Sequence, residues 1–328
     1  MQCAPQWFPL LTRIGCISIF RHGNRKTSAN SADDNTLDKL RRETTVTRAL
    51  VLGGGGLAGI AWEAGLLVGL VEAGINVRVA DYFLGTSAGS AVVAQITSEL
   101  TTEELFRRQV DPQSQAKELP AKADFPRMIA DFGECHRKGG TSAQILQRIG
   151  SLALSAPTVA EATRRNVIVS RLPTNIWPKS RMGVVAVDAF SGQRVVFDRD
   201  SGVDMVDAVA ASCAIPCVWP PVTIGERRFV DGGSYSMANV DLAAGFNRVL
   251  VCQPDVPPFP VVKSLSEEIE QLRLNGAQVE VISPDDAMKM ALAATGGNAL
   301  DPSLIAVAAK LGREQAGREA VRISGLWG

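Results

Sequence analysis

Apolar and polar positions along this chain first settle into a regular pattern at Arg48. The run Ala49-Leu50-Val51-Leu52 stops at four glycines, Gly53 to Gly56. A short apolar run closed by turn residues predicts a buried strand. Residues 60–73 are then apolar on nearly all sides and stop at Gly74, the pattern of a buried helix with a glycine C-cap. The same sequence of events repeats. Tyr82-Phe83-Leu84 reads as a strand, Gly85-Thr86-Ser87-Ala88-Gly89 as a tight turn, and 90–96 as a second buried helix. Two strand, turn and helix units in succession predict a parallel sheet covered on both faces.

The pattern changes over 101–165. Helix-start signals stand at Thr101-x-x-Glu104 and Thr141-x-x-Gln144, and Ile145, Leu146, Ile149 and Leu152 form an apolar stripe. This stretch predicts a helical insertion, either a cap facing substrate or a packing layer. Further strands are expected at 167–169, 183–187, 194–197, 228–230, 249–251 and 279–282, and two tail helices near 285–294 and 302–322. Residues 1–47 divide off as a flexible leader, polar and charged from Arg21 onward, and 48–328 as the folded domain.

Composition narrows the function. The 328 residues are 46% hydrophobic, enough for a large core. Lysine plus arginine and aspartate plus glutamate number 34 each, so no long-range field gathers nucleic acid, and any membrane contact is local, apolar and peripheral. No run reaches the roughly 18 to 20 apolar residues that span a bilayer. The stretch 7–20 contains Pro9 and Arg13 and lacks a basic start, so it does not read as a secretory signal, and a cytoplasmic location is expected. The six cysteines are scattered and read as reduced thiols. Only two histidines, His22 and His136, are present, which leaves little material for a histidine metal site.

Gly85-x-Ser87-x-Gly89 between a strand and a helix is the nucleophile-elbow pattern, with Ser87 as candidate nucleophile. The loop Gly54-x-Gly56-x-x-Gly59 admits two readings: a dinucleotide cradle, or an oxyanion hole built from the amides of Gly54, Gly55 and Gly56. A dinucleotide site needs an acidic residue closing the second strand, where this chain has Leu84-Gly85-Thr86-Ser87 instead. The serine one strand away favours the oxyanion hole. A histidine after an acid, the usual order in serine hydrolases of this kind, is missing, because the last histidine is His136. The base must then be a carboxylate or a lysine. Asp231, delivered by a strand to the turn Val230-Asp231-Gly232-Gly233, is the best placed.

Taken in order, the glycine loop, the Gly-Thr-Ser-Ala-Gly elbow, the segment Ala210-Ala211-Ser212-Cys213-Ala214-Ile215-Pro216 and the Asp231-Gly232-Gly233 turn resemble the patatin-like phospholipases over residues 48–255. The resemblance implies a three-layer α/β/α sandwich with a mostly parallel central sheet. It also implies hydrolysis of acyl esters in lipids by a serine-aspartate dyad, with no metal or cofactor. Ser87 is then nucleophile and Asp231 base. The chain departs from the family at Ala58, where a basic residue is common. A catalytically silent lipid-binding or regulatory protein of the same fold is the competing reading.

Overall fold

The computed structural model describes residues 46–254 and 260–328. Most of the 1–47 leader therefore lies outside the described residues, as does the stretch 7–20. In chain order the elements are β1 (Arg48–Leu52), α1 (Gly56–Glu72), β2 (Tyr82–Thr86), α2 (Ala88–Ile96), α3 (Thr102–Val110), α4 (Phe125–Arg137), α5 (Ser142–Ser155) and α6 (Glu161–Arg171). They continue with β3 (Met182–Asp188), β4 (Arg194–Phe197), α7 (Met205–Ser212), β5 (Val222–Ile224), β6 (Arg227–Asp231), β7 (Arg248–Cys252), α8 (Leu265–Leu274), β8 (Gln278–Ile282), α9 (Asp286–Ala294) and α10 (Leu304–Trp327).

The strands form one sheet in the order β5-β6-β3-β2-β1-β7-β8, with β4 also paired to β3. From β3 through β8 the pairs are parallel, while β4, β5 and β6 pair antiparallel at the other side. Because side chains alternate along a strand, each central strand feeds two cores. Leu50, Leu52, Phe83, Val184, Ala186 and Leu250 enter a large core with α1, α2, α7 and α10. Their neighbours Ala49, Val51, Leu84, Val185, Val249 and Val251 enter a second core, closed by Val240, Ala243 and the α8 residues Ile269 and Leu272. That double burial explains why these strands read as continuous apolar runs. The result is a three-layer α/β/α arrangement.

One expected strand is a helix. Val167-Ile168-Val169 lies inside α6, whose buried residues are Arg164, Val167, Ile168 and Arg171. The spacing is helical, but two of the four positions are arginines, so the apolar pattern alone shows only a short β-branched run. Both arginines are made apolar in effect by Glu118, which pairs with Arg164 and, at 2.6 Å, with Arg171. The Arg164 guanidinium also lies over the Trp219 ring, 3.9 Å from its centroid. In α9, Met288 is buried, whereas Met290 is 73% exposed and takes no part in the core.

Candidate active site

The two strand-turn-helix units meet at the carboxyl ends of β1 and β2. Ser87 stands between β2 and α2 with φ 52° and ψ −117°, a backbone position that L-residues avoid. Side-chain contacts hold it there, beside the Ser90 amide, which donates to the Ser87 carbonyl at 2.9 Å. The Ser87 amide donates to Ser212 Oγ at 2.9 Å, and its carbonyl accepts from Ser90 Oγ at 2.6 Å and Cys213 Sγ at 3.3 Å. With its backbone committed, Ser87 presents its side chain to a cavity at the N-terminus of α2, where the helix dipole favours negative charge. The turn needs close backbone packing. A Cβ on Gly89 would lie 2.1 Å from the Leu52 carbonyl oxygen, and one on Gly85 would lie 2.5 Å from Ser90 Cα.

Asp231 is the last residue of β6, paired with Ala186 of β3, and is 4% exposed. Its Oδ1 accepts the Gly233 amide at 2.7 Å. Its Oδ2 is buried without a hydrogen-bond partner of good geometry. Burial pushes the carboxyl up to about 7, opposed in part by the neighbouring Ser87 hydroxyl and the Gly233 amide. Ser87 is thus beside the carboxylate, and Oδ2 is the oxygen that carries no hydrogen bond of good geometry. Gly232 packs on Val185, whose carbonyl oxygen would be 2.5 Å from an added Cβ.

A residue that the sequence pattern does not single out joins the two turns. Asn239, fully buried in the left-handed region at φ 54°, donates from Nδ2 to Thr86 Oγ1 at 3.0 Å and to the Ser236 carbonyl at 2.7 Å, with a longer 3.4 Å contact to the Gly232 carbonyl. Thr86 precedes the serine and Gly232 follows the aspartate. Asparagine tolerates this backbone better than most residues, which is the only local signal for its role.

The glycine loop lies against the serine, since a Cβ on Gly54 would be 3.4 Å from Ser87 Cβ. Its three amides are not equivalent. Gly54 N–H donates to the Met237 carbonyl at 2.7 Å, whereas Gly55 and Gly56 line the cavity. Gly56 has φ +63°, and Ala299 O and Leu300 Cδ2 each lie 2.9 Å from where its Cβ would be. Gly59 N–H closes the first turn of α1 on the Gly55 carbonyl at 2.8 Å. Ala58 is 2% exposed, and its amide donates to the Ala299 carbonyl at 3.0 Å, so this position faces the interior and not the cavity.

The cavity measures about 530 Å³. Asp231 is the one charged side chain among its described lining residues. Phe125, Pro126, Met128 and Ile129 of α4 form one wall, Ile215 and Pro216 another, and residues 296–300 a third. Ser234, whose Oγ is buried without a partner, also lines it. None of the 296–300 wall was legible locally, because it is brought in from the far end of the chain by contact with the glycine loop. His136 sits in the last turn of α4 and is not among the lining residues. Among the described residues, no group of three or more histidine, cysteine or acidic side chains is placed to hold a metal ion, and no helix is long and apolar enough to cross a membrane.

Among solved structures, the chain is similar to VipD from Legionella pneumophila, with 14% identity, 85% of this chain and 67% of that chain covered, and a TM-score of 0.47. It is also similar to full-length ExoU in complex with full-length SpcU from the type III secretion system of Pseudomonas aeruginosa, at 15% identity over 86% of this chain and a TM-score of 0.37. It spans about half of that ExoU structure's chain, 53%. No curated protein sequence matches it. The family model for patatin-like phospholipase matches residues 50–244. That span holds the glycine loop, the elbow and the aspartate turn, and the chain belongs to the patatin-like phospholipase family.

Proposed function

We propose that this protein is a serine acyl-ester hydrolase acting on lipids, with Ser87 as nucleophile and Asp231 as its partner base. The observation that carries the reading is the buried Asp231 carboxyl, which neighbours the Ser87 hydroxyl at the wall of an apolar cavity and whose Oδ2 has no hydrogen bond of good geometry. Family membership supports lipid hydrolysis as the reaction class.

In this mechanism Ser87 Oγ attacks the ester carbonyl while its proton passes to Asp231 Oδ2. A base with pKa about 7 is well matched to that transfer near neutral pH. The carbonyl oxygen becomes an oxyanion held by the Gly55 and Gly56 amides and favoured by the α2 N-terminus. The Gly54 amide, committed to Met237, contributes structure instead. Collapse expels the alcohol, which takes the proton from Asp231 and leaves an acyl ester on Ser87. Water then attacks the acyl-serine, gives its proton to Asp231, and the fatty acid departs as Ser87 recovers its hydrogen.

The cavity binds the acyl chain through apolar contact, and among the described residues no cation lines it to read a phosphate. On this reading, head-group discrimination is expected to be weak. Neutral monoacylglycerol and zwitterionic lysophospholipid of one chain length, each offered in detergent micelles, should be hydrolysed with kcat/KM values within about tenfold of each other. Binding of both lipids without release of fatty acid would instead support the silent lipid-binding protein.

A further inference from the structure

The glycine loop between β1 and α1 is a run of three peptide planes, each anchored at one end or both. In the first, the Gly53 carbonyl accepts the Gly89 amide at 3.0 Å, and the Gly54 amide donates to Met237. In the third, the Gly55 carbonyl accepts the Gly59 amide. The middle plane, joining Gly54 to Gly55, is held by a side chain. Gln253 Nε2 donates to the Gly54 carbonyl at 3.2 Å and to the Pro254 carbonyl at 2.7 Å.

Carbonyl and amide point in opposite directions across a trans peptide. A donor that holds the Gly54 carbonyl on one side therefore turns the Gly55 amide to the other. Gly55 lines the cavity, and Gln253, 8% exposed and just beyond β7, does not. The carboxamide is accommodated only because Gly53 has no side chain, since a Cβ there would lie 2.2 Å from Gln253 Oε1. That Oε1 is itself buried without a partner. Leaving an amide oxygen unsatisfied is unfavourable, and a leucine would fill the same space without it. What a leucine lacks is the Nε2 donor.

We infer that Gln253 is a positioning residue for acyl transfer, fixing the Gly54–Gly55 peptide plane so that the Gly55 amide meets the developing oxyanion. The inference rests on the Ser87–Asp231 hydrolase reading above. Gln253 touches no substrate and acts through Gly55.

The test uses the full chain carrying Gln253→Leu or Gln253→Met, which keep the volume and remove the donor, beside Ser87→Ala. Against a nitrophenyl ester, kcat should fall by a factor on the order of 10 to 100, less than or comparable to losing an oxyanion donor outright, with KM changed by no more than about twofold. A trifluoromethyl ketone, which forms an oxyanionic adduct on a serine, should weaken by the same factor, while a non-hydrolysable ether lipid binds as before. Gln253→Glu exchanges the donor for an acceptor in the same shape and should give the same split; it serves if the apolar variants do not fold. With Ser87→Ala inactive, an unchanged kcat in the Gln253 variants, or equal weakening of ketone and ether, overturns the inference. Turnover that survives in Ser87→Ala removes the hydrolase reading beneath it.

Discussion

Asp231 accepts the Gly233 amide through Oδ1 at 2.7 Å, and this one bond decides which of its oxygens is left for chemistry. Oδ2 remains, buried without a hydrogen bond of good geometry, on a carboxyl that neighbours the Ser87 hydroxyl. The proposed Ser87–Asp231 dyad would need no histidine, because burial does what an imidazole otherwise does. It brings a carboxyl from its ordinary range to about 7, where it accepts a proton without holding it too tightly.

Activity should follow that ionisation. Asp231 works as a base only when deprotonated, so kcat/KM rises with pH and levels off above about 7. A pH profile with nitrophenyl acetate checks this directly. An acidic limb centred below pH 5 would mean that some other group carries the base function.

Stability should move the opposite way. A folded-state pKa raised above the unfolded value favours the folded protein fully below pH 4, and that advantage is lost as pH climbs through about 7. Asp231→Asn keeps an acceptor for Gly233 and removes the buried charge. Its unfolding free energy should match the wild type near pH 4 and exceed it at pH 8.5 by up to about 4 kcal/mol, read from urea titrations at the two pH values. A variant less stable than wild type at pH 8.5 would contradict the assigned burial. Glu63, fully buried with its pKa also raised by desolvation, adds to the same alkaline loss in both proteins and cancels in the difference.

Asn239 should matter to both turns at once. Asn239→Ala removes its donor to Thr86 and the Ser236 carbonyl and places alanine at positive φ. The expected loss is about 2–4 kcal/mol of unfolding free energy, with kcat reduced more than KM is raised. Chemical denaturation paired with steady-state kinetics measures both, and a fully stable variant would show that the Asn239 link between the two turns is not needed.

Glu118 illustrates what the sequence could and could not tell. Glu118→Ala strands two buried arginines, Arg164 and Arg171, and should cost about 3–5 kcal/mol by thermal or urea unfolding. A change under about 1 kcal/mol would show that water replaces the carboxylate. The same ion cluster hid α6. Hydrophobic spacing finds a helix only when its inner face is apolar, and here Arg164 and Arg171 occupy that face, neutralised by a residue some fifty positions earlier. By contrast, β1, β2, α1 and the elbow were legible because their apolar runs and glycines are local. Ser87 and Asp231 stood out for the same reason. Which of the loop amides is already hydrogen-bonded was not legible, because the Gly54 amide is taken by Met237, a partner supplied by a distant loop. The cavity wall at 296–300 was hidden likewise, since it joins the glycine loop only through the fold.

The central claim is that Ser87 is the nucleophile and Asp231 its base. The most direct measurement reacts the 328-residue chain with a fluorophosphonate, maps the adduct by peptide mass spectrometry, and follows ester turnover in parallel. One phosphonyl group on Ser87 per chain is expected, with turnover lost in proportion to labelling, no adduct in Ser87→Ala, and labelling of Asp231→Asn slowed by on the order of a hundredfold or more. An adduct on another residue, or full turnover in Ser87→Ala, would contradict it.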